Sequence, residues 1–221
     1  MKAMILAAGL GTRLRPLTND RPKALVEVAE RTLLEITLAR LREFGVHEVI
    51  VNVHHFADMV AEYLRKNDNF GMKIEISREE TLLDTGGGLK KAGWFFVKDS
   101  ADRGEPFIVH NVDVISTIDL SRMLLFHNEQ HALATLAVKQ RETSRYLLFD
   151  EHLQLSGRLS GLSQQAEFVR PSQQVQLQAL AFSGIHVISP RMLSMLTEDG
   201  AFSITNSYLR LAGQGENILA F

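Results

Sequence analysis

The apolar run from Met4 to Ala8 ends directly on Gly9-Leu10-Gly11-Thr12-Arg13. A buried first strand feeding a glycine-broken loop is a strong cue for an α/β architecture. The next segments keep to that pattern. Leu34, Leu38 and Leu41 recur at helical spacing within Leu33 to Phe44, and Val46 to Val53 forms a β-branched strand after them, completing one β-loop-α-β unit. A helix over about Asp58 to Lys66, a strand at Met72 to Ser77, a helix after Gly88 and a strand at Pro106 to His110 continue the alternation, then a helix at Leu120 to Asn128 and a strand at Ala132 to Val138. Strands alternating with helices imply a mostly parallel sheet covered on both faces.

From Tyr146 to Val187 the chain changes to short strands with polar, Gln-rich connections. This reads as a small antiparallel portion beside the parallel sheet. It finishes in Ala179 to Ile188 and is followed by helices at Arg191 to Leu196 and Ile204 to Ala212. No linker composition divides the 221 residues, and Gln164-Gln165 and Gln173-Gln174 are too brief for low complexity. A single domain is expected, with residues 1–115 as one half and 116–221 as the other.

Bulk properties narrow the function. A formal net charge of -2 gives no general electrostatic reason to expect nucleic acid or an anionic membrane as partner. No stretch approaches the roughly 18 apolar residues of a membrane span. The absence of cysteine excludes disulfides and thiolate metal sites and makes the cytoplasm the natural compartment. Any phosphate binding must therefore be local, and the glycine loop is its natural place, because ligands of open α/β sheets collect beyond the carboxyl ends of the strands. Gly9 and Gly11 let the backbone approach phosphate oxygens, and Arg13 adds a fork of charged donors. Spacing excludes a dinucleotide fingerprint, which needs glycine where Leu14 stands. A Walker A loop is excluded as well, since neither this loop nor Gly86-Gly87-Gly88-Leu89-Lys90 supplies its Gly-Lys-Ser/Thr. A plain turn with a solvated Arg13 stays open on the loop alone.

The wider string Leu6-Ala7-Ala8-Gly9-Leu10-Gly11-Thr12-Arg13-Leu14-Arg15-Pro16-Leu17-Thr18, with Arg21-Pro22-Lys23-Ala24-Leu25, resembles the opening of the sugar-phosphate nucleotidyltransferases. The resemblance covers most of the chain. Leu83-Asp84-Thr85-Gly86-Gly87-Gly88 and Phe182-Ser183-Gly184-Ile185 look most like the N-acetylmuramate uridylyltransferase and the heptose or mannose guanylyltransferase branches. It implies a Rossmann-like three-layer α/β/α nucleotidyltransferase fold and a reaction in which an NTP and a sugar 1-phosphate give an NDP-sugar and pyrophosphate with Mg2+. A UDP-sugar of cell-wall type is favoured over a GDP-sugar. In the family the loop, here Ala8, Gly9, Gly11, Thr12 and Arg13, wraps the triphosphate, and the cations matching Arg13 and Lys23 neutralise it during transfer.

Transfer of this kind needs a carboxylate to hold Mg2+. Asp113, at the end of the predicted strand, matches the family's metal aspartate, although Val112 stands where the family usually has glycine. A helix N-cap role for Asp113 is the alternative. The second metal carboxylate of the family would fall beyond Phe221, so either the sequence is a truncated form or another carboxylate such as Glu216 or Asp199 substitutes.

Counting back from Asp84, the resemblance gives Glu79 as the base reader, an acceptor suited to guanine or to N3–H of uracil; a solvated charged turn is the bland reading. Asp84, Thr85 and Gly86 would lie against the base and ribose, in a glycine segment too flexible for ordinary helix or strand interior. On the sugar side Asn111, Gly184 and Arg170 stand at matching positions, Arg170 where the family carries the lysine of Glu-Lys-Pro, and Tyr146 is a weaker candidate. His54-His55 lacks a third ligand at metal-site spacing. From a different class, a nucleotide-sugar binding or regulatory protein without turnover would suit Val112 and the missing second carboxylate.

Overall fold

The computed structural model describes residues 1–97, 104–160, 165–170 and 176–221. Gln164, Pro171 and the Gln173-Gln174 pair lie outside the described residues. The strands are β1 (Lys2–Leu6), β2 (Glu27–Val28), β3 (Arg31–Thr32), β4 (Glu48–Val53), β5 (Lys73–Arg78), β6 (Phe107–Asn111), β7 (Ala134–Lys139), β8 (Arg145–Phe149), β9 (Leu155–Ser160), β10 (Gln165–Phe168), β11 (Gln178–Ile188) and β12 (Ile218–Ala220). The helices are α1 (Leu33–Glu43), α2 (Ala57–Lys66), α3 (Asp84–Ala92), α4 (Trp94–Val97), α5 (Leu120–Glu129) and α6 (Ile204–Gly213).

One end of the main sheet has the order β6-β1-β4-β5, all parallel. The chain runs outward from β1 through β4 to β5, then returns to place β6 on the other side of β1. Strand order therefore reverses at β1, and a crevice opens there at the carboxyl ends. Register brings Leu6 opposite Asn52 on one flank and opposite Asn111 on the other.

The long β11 runs antiparallel to β6 and also pairs with β7 and β8. Its register shifts between Phe182 and His186, around Gly184 at φ +78. Such an irregularity bends a strand and redirects its side chains; here β11 joins the main sheet to the antiparallel strands β8, β9 and β10.

Alternation along the strands makes three layers. Ala3 and Ile5 of β1 join Val49 and Val51 of β4 against α1, α2 and α5, through Leu34, Leu38, Val60 and Met123. Met4, Leu6 and Ile50 face the opposite layer with Leu89 of α3, Phe95 of α4 and Tyr208 of α6. The α/β/α expectation holds. Helix α1 starts where Thr32 accepts from the Glu35 N–H at 3.1 Å, a cap whose loss costs about 1 kcal/mol.

Three local expectations are corrected. The helix expected after Gly88 begins at Asp84 and takes the glycine triplet into its interior. Gly86 has no room for a Cβ, which would lie 2.3 Å from the Phe202 ring, and at Gly87 it would lie 2.5 Å from the Gly200 carbonyl. The glycines thus serve close packing inside a helix. The segment at Arg191 to Leu196 is a 3-10 helix, Pro190–Met195, and β12, too short to show a period, closes the edge beside β7.

Candidate active site

Two cavities meet at the carboxyl ends of β1, β4 and β6, sharing Gly9 and Leu82 in their walls. The first, about 380 Å³, is lined by Leu6, Ala8, Asn52, Asp84, Thr85, Asn111 and Ala201 as well. The second, about 410 Å³, is lined by Leu10, Gly11, Thr12, Arg13, Leu14, Lys23 and Asp113 as well. One compartment is thus mostly apolar, with amide and hydroxyl groups and the Asp84 carboxylate on its wall, and the other carries both cations, Arg13 and Lys23, beside Asp113.

The glycine loop is held from within. Gly11 sits at φ +66, and a Cβ there would lie 2.9 Å from Thr18 Cγ2. Thr18 donates its hydroxyl to the Gly11 carbonyl at 2.9 Å, and the Leu14 N–H donates to that carbonyl at 2.8 Å. The loop then turns through a 3-10 helix, Thr12–Leu14, whose residues stay exposed or half-exposed. This places Arg13, exposed, at the cavity wall.

A second 3-10 helix, Lys23–Leu25, brings Lys23 to the same wall. Lys23 Nζ lies 2.9 Å from Asp113 Oδ2, with side-chain exposures of 15% and 33%. Asp113 follows the end of β6, where the Val112 N–H donates to the Leu6 carbonyl at 3.1 Å and the Val112 side chain is fully buried. The valine fills the core and leaves the carboxylate facing the cavity. Helix α5 is capped by Asp119, which accepts from the Arg122 N–H at 3.0 Å, so Asp113 is free of the capping role.

At the floor, Asn52 is buried. Its Oδ1 accepts from the Ala7 N–H at 2.9 Å, and its Nδ2 donates to Glu79 Oε1. Glu79 Oε2 accepts from the Leu83 N–H at 2.9 Å. The Glu79 carboxylate therefore spends an oxygen on each neighbour and supports Asn52 and the start of α3, while Asn52 itself reaches the cavity wall. His54 Nδ1 lies 2.9 Å from the Glu79 carbonyl oxygen; a carbonyl only accepts, so the ring donates.

The segment after Gly200 closes the far side. Phe202 N–H donates to the Leu83 carbonyl at 3.1 Å, Gly86 N–H donates to the Phe202 carbonyl at 2.9 Å, and Ile204 N–H donates to Thr85 Oγ1 at 3.0 Å. Asp84, at φ +59, accepts the Thr85 N–H on Oδ1 at 2.6 Å. The first amides of α3 are thus taken by the protein. Asp84 and Thr85 line the cavity; Gly86 packs behind them against Phe202.

Asn111 lines the first cavity. Gly184 lies behind it: a Cβ there would be 2.5 Å from Asn111 Nδ2. Beside them His110 is buried, and burial pushes its pKa down to about 4, so its ring is neutral at physiological pH.

Residues 2–153 match the profile of the nucleotidyl transferase family. The chain belongs to this family. It is 36% identical over 223 residues, covering 96% of this chain and 85% of the relative, to the N-acetylmuramate alpha-1-phosphate uridylyltransferase of Caulobacter vibrioides. It is 37% identical over 148 residues to the mannose-1-phosphate guanylyltransferase catalytic subunit beta of Dictyostelium discoideum; that match covers 66% of this chain and 40% of the relative. The fold superposes on HddC from Yersinia pseudotuberculosis complexed with GMP-PN with TM-score 0.72 at 21% identity, covering 100% of this chain and 89% of that one. The resemblance read from the loop motif is thereby confirmed, and with it the enzyme class, a nucleotidyltransferase.

Several residues expected at the site of this nucleotidyltransferase are placed elsewhere. Arg170 donates through Nε to the Ala212 carbonyl at 3.0 Å, through Nη2 to the Glu216 carbonyl at 2.7 Å, and through Nη1 to Gln154. It closes the carboxyl end of α6, where a cation suits the helix dipole. Glu216 forms a two-point pair with Arg191, at 2.9 and 2.7 Å, and Asp199 pairs with Lys90 at 2.8 Å, so neither stands with Asp113. Tyr146 lines a separate cavity with Arg141 and Leu159. Among the described residues no group of three His, Asp or Glu side chains forms a metal cage, and no helix is long and apolar enough to cross a membrane. Sequence reasoning missed Asn52, whose only signal was an amide breaking an otherwise β-branched strand, and Leu82 and Ala201, which carry none.

Proposed function

We propose that this nucleotidyltransferase transfers a nucleoside monophosphate from an NTP, UTP ahead of GTP, to a sugar 1-phosphate, releasing pyrophosphate with Mg2+ as cofactor. The observation that carries the reading is the Lys23–Asp113 pair at 2.9 Å, set in the wall that the glycine loop and Arg13 complete. The preference for UTP rests on the Caulobacter uridylyltransferase, the relative matched over nearly the whole chain.

An anionic sugar-phosphate oxygen attacks the α-phosphorus in line as the bond to the β-phosphate oxygen breaks and pyrophosphate leaves with that electron pair. The nucleophile is already charged, so no general base is required. Loop amides and the Arg13 guanidinium orient the triphosphate, and Lys23 offsets the charge that grows on it. Asp113 is a hard oxygen donor, one-third exposed beside this wall, and suits Mg2+, which commonly takes one or two carboxylates and completes its shell with substrate phosphates and water. Bound there, the metal supplies Lewis-acid neutralisation of the α-phosphate. The apolar compartment between Leu6, Leu82 and Thr85 accepts the nucleoside, and Asn111 faces the sugar phosphate. A cytoplasmic setting supplies both substrates.

The test is pyrophosphate release from UTP, GTP, ATP, CTP and dTTP against a panel of sugar 1-phosphates, with and without Mg2+. Metal-dependent release, fastest with UTP, is expected. Tight NTP binding with no release from any pair would replace the enzyme by a nucleotide-binding protein.

A further inference from the structure

Behind the turn that carries Asp113 lies a separate cavity of about 140 Å³, between α1 and residues 114–116, with Arg31, Arg40, Glu43, His110 and Ser116 in its wall. Its polar groups are unevenly matched. Arg40 donates through Nη2 to the Ile118 carbonyl at 2.7 Å and through Nη1 to Glu43 at 3.4 Å, whereas its Nε is buried and has no hydrogen-bond partner among the described residues. Ser116 Oγ accepts from the Ile118 N–H at 3.1 Å and keeps its own proton to donate. His110 Nδ1 lies 2.8 Å from the Asn111 carbonyl oxygen and so donates to it, which makes Nε2 the acceptor of the neutral ring.

A buried guanidinium N–H, a free hydroxyl donor and an imidazole acceptor form a mixed set. Its occupant must accept strongly from Arg40 and also donate to His110. Water has both capacities but brings no charge to Arg40, whose nearest carboxylate, Glu43, lies 3.4 Å from Nη1 and leaves Nε unmet. A fully deprotonated oxyanion meets them but has nothing to donate.

We propose that this cavity is a binding site for hydrogen phosphate, separate from the triphosphate wall. The anion accepts from Arg40 Nε and the Ser116 hydroxyl, and its P–OH donates to His110. Arg31, half-exposed and paired with Glu35 at 2.8 Å, adds long-range attraction at the mouth. Glu43 is the one carboxylate in the wall and opposes binding, both by its charge and by engaging Arg40 Nη1. Site and turn are continuous through residues 113–116, so occupancy bears on the placement of Asp113.

The test is inorganic phosphate binding by calorimetry in the Lys23→Gln protein, which weakens competing phosphate contacts in the triphosphate wall, repeated with UTP saturating. Sulfate at matched ionic strength is the control. Phosphate is expected to bind with or without UTP and sulfate at least tenfold more weakly. Arg40→Gln should abolish the phosphate signal and Glu43→Gln should strengthen it several-fold. Glu43 is largely exposed, so its variant folds even where Arg40→Gln fails to. Equal responses to phosphate and sulfate, loss of the signal on adding UTP, or unchanged affinity in Glu43→Gln would overturn the proposal. None of these outcomes bears on nucleotidyl transfer by the wild-type chain.

Discussion

Lys23 Nζ and Asp113 Oδ2 lie 2.9 Å apart, and this pair ties the loop side of the site to the end of β6. Both groups are only partly exposed, so removing one leaves the other poorly compensated. Asp113→Asn keeps the shape and removes the charge that the proposed Mg2+ would need. The expected result is a loss of about 10²-fold or more in metal-dependent pyrophosphate release, with UTP affinity retained within a few-fold. Unchanged turnover across a magnesium titration would take Asp113 out of the site.

Gly184 supports Asn111 by having no side chain. At φ +78, with a Cβ position 2.5 Å from Asn111 Nδ2, alanine meets both a left-handed backbone cost of roughly 1–2 kcal/mol and a displaced amide. Gly184→Ala is expected to lower the urea midpoint and to raise KM for the sugar phosphate more than KM for the NTP. Equal change in the two KM values would separate Asn111 from the sugar side.

The Gly86 contact inverts an ordinary helix rule. Alanine replacing glycine inside an exposed helix gains about 1 kcal/mol, but here the added methyl meets the Phe202 ring at 2.3 Å and the Phe202 carbonyl at 2.9 Å. Overpacking of this kind costs about 1–3 kcal/mol, so Gly86→Ala is expected to destabilise. Adding Phe202→Leu should recover part of the loss, because the ring is the nearer obstacle. A Gly86→Ala protein melting above wild type would contradict the packing.

Glu79 is expected to act through its neighbours. Glu79→Ala leaves the Asn52 amide and the Leu83 N–H without their acceptor in a buried site, at a cost of about 1–3 kcal/mol. UTP affinity falls with it because Ala7, at the root of the loop, loses a fixed Asn52. If Glu79 instead touches the base, Glu79→Gln will alter the UTP to GTP ratio while leaving the melting temperature near wild type. The two measurements together decide between the roles.

The sequence made the first β-loop-α-β unit legible because its signals are local: an apolar run, two glycines, then leucines at helical spacing. Asp113 was reachable for a related reason, since it follows a strand whose apolar run was readable, whereas Arg13 was marked by the glycine loop and Lys23 only by the family's opening string. The glycine triplet misled because its partner is remote, with Thr85 and Ile204 bonded across 119 positions. Composition alone reads three glycines as loop until Phe202 is seen to need the space. Arg170 misled similarly, since a positive charge near a proline cannot announce that the carbonyls of Ala212, in α6, and of Glu216, just beyond it, will claim its guanidinium. Glu79 showed its acceptor capacity but not the Asn52 amide that uses it.

Three buried histidines are expected to weaken the fold as the pH falls. Burial lowers the pKa of His110 and His127 to about 4 and that of His186 to about 3, with His110 a further cause at His186. His127 shows why protonation is resisted: Ser189 donates its hydroxyl to the Ala132 carbonyl at 2.8 Å and so accepts from Nε2, which leaves Nδ1 to accept from Thr135 at 2.9 Å. The unfolded chain takes up protons near pH 6.5, well above the folded values. Stability from these groups is therefore complete above about pH 6.5 and is lost as pH falls toward 4, by up to about 1.4 kcal/mol per pH unit for each histidine. The melting temperature is expected to hold between pH 8 and 7 and to drop steeply from pH 6 to 4.5. His127→Gln, which keeps a donor and an acceptor but cannot charge, should flatten that slope at some cost to stability at neutral pH. A slope unchanged in this variant would assign the acid transition to the carboxylates instead.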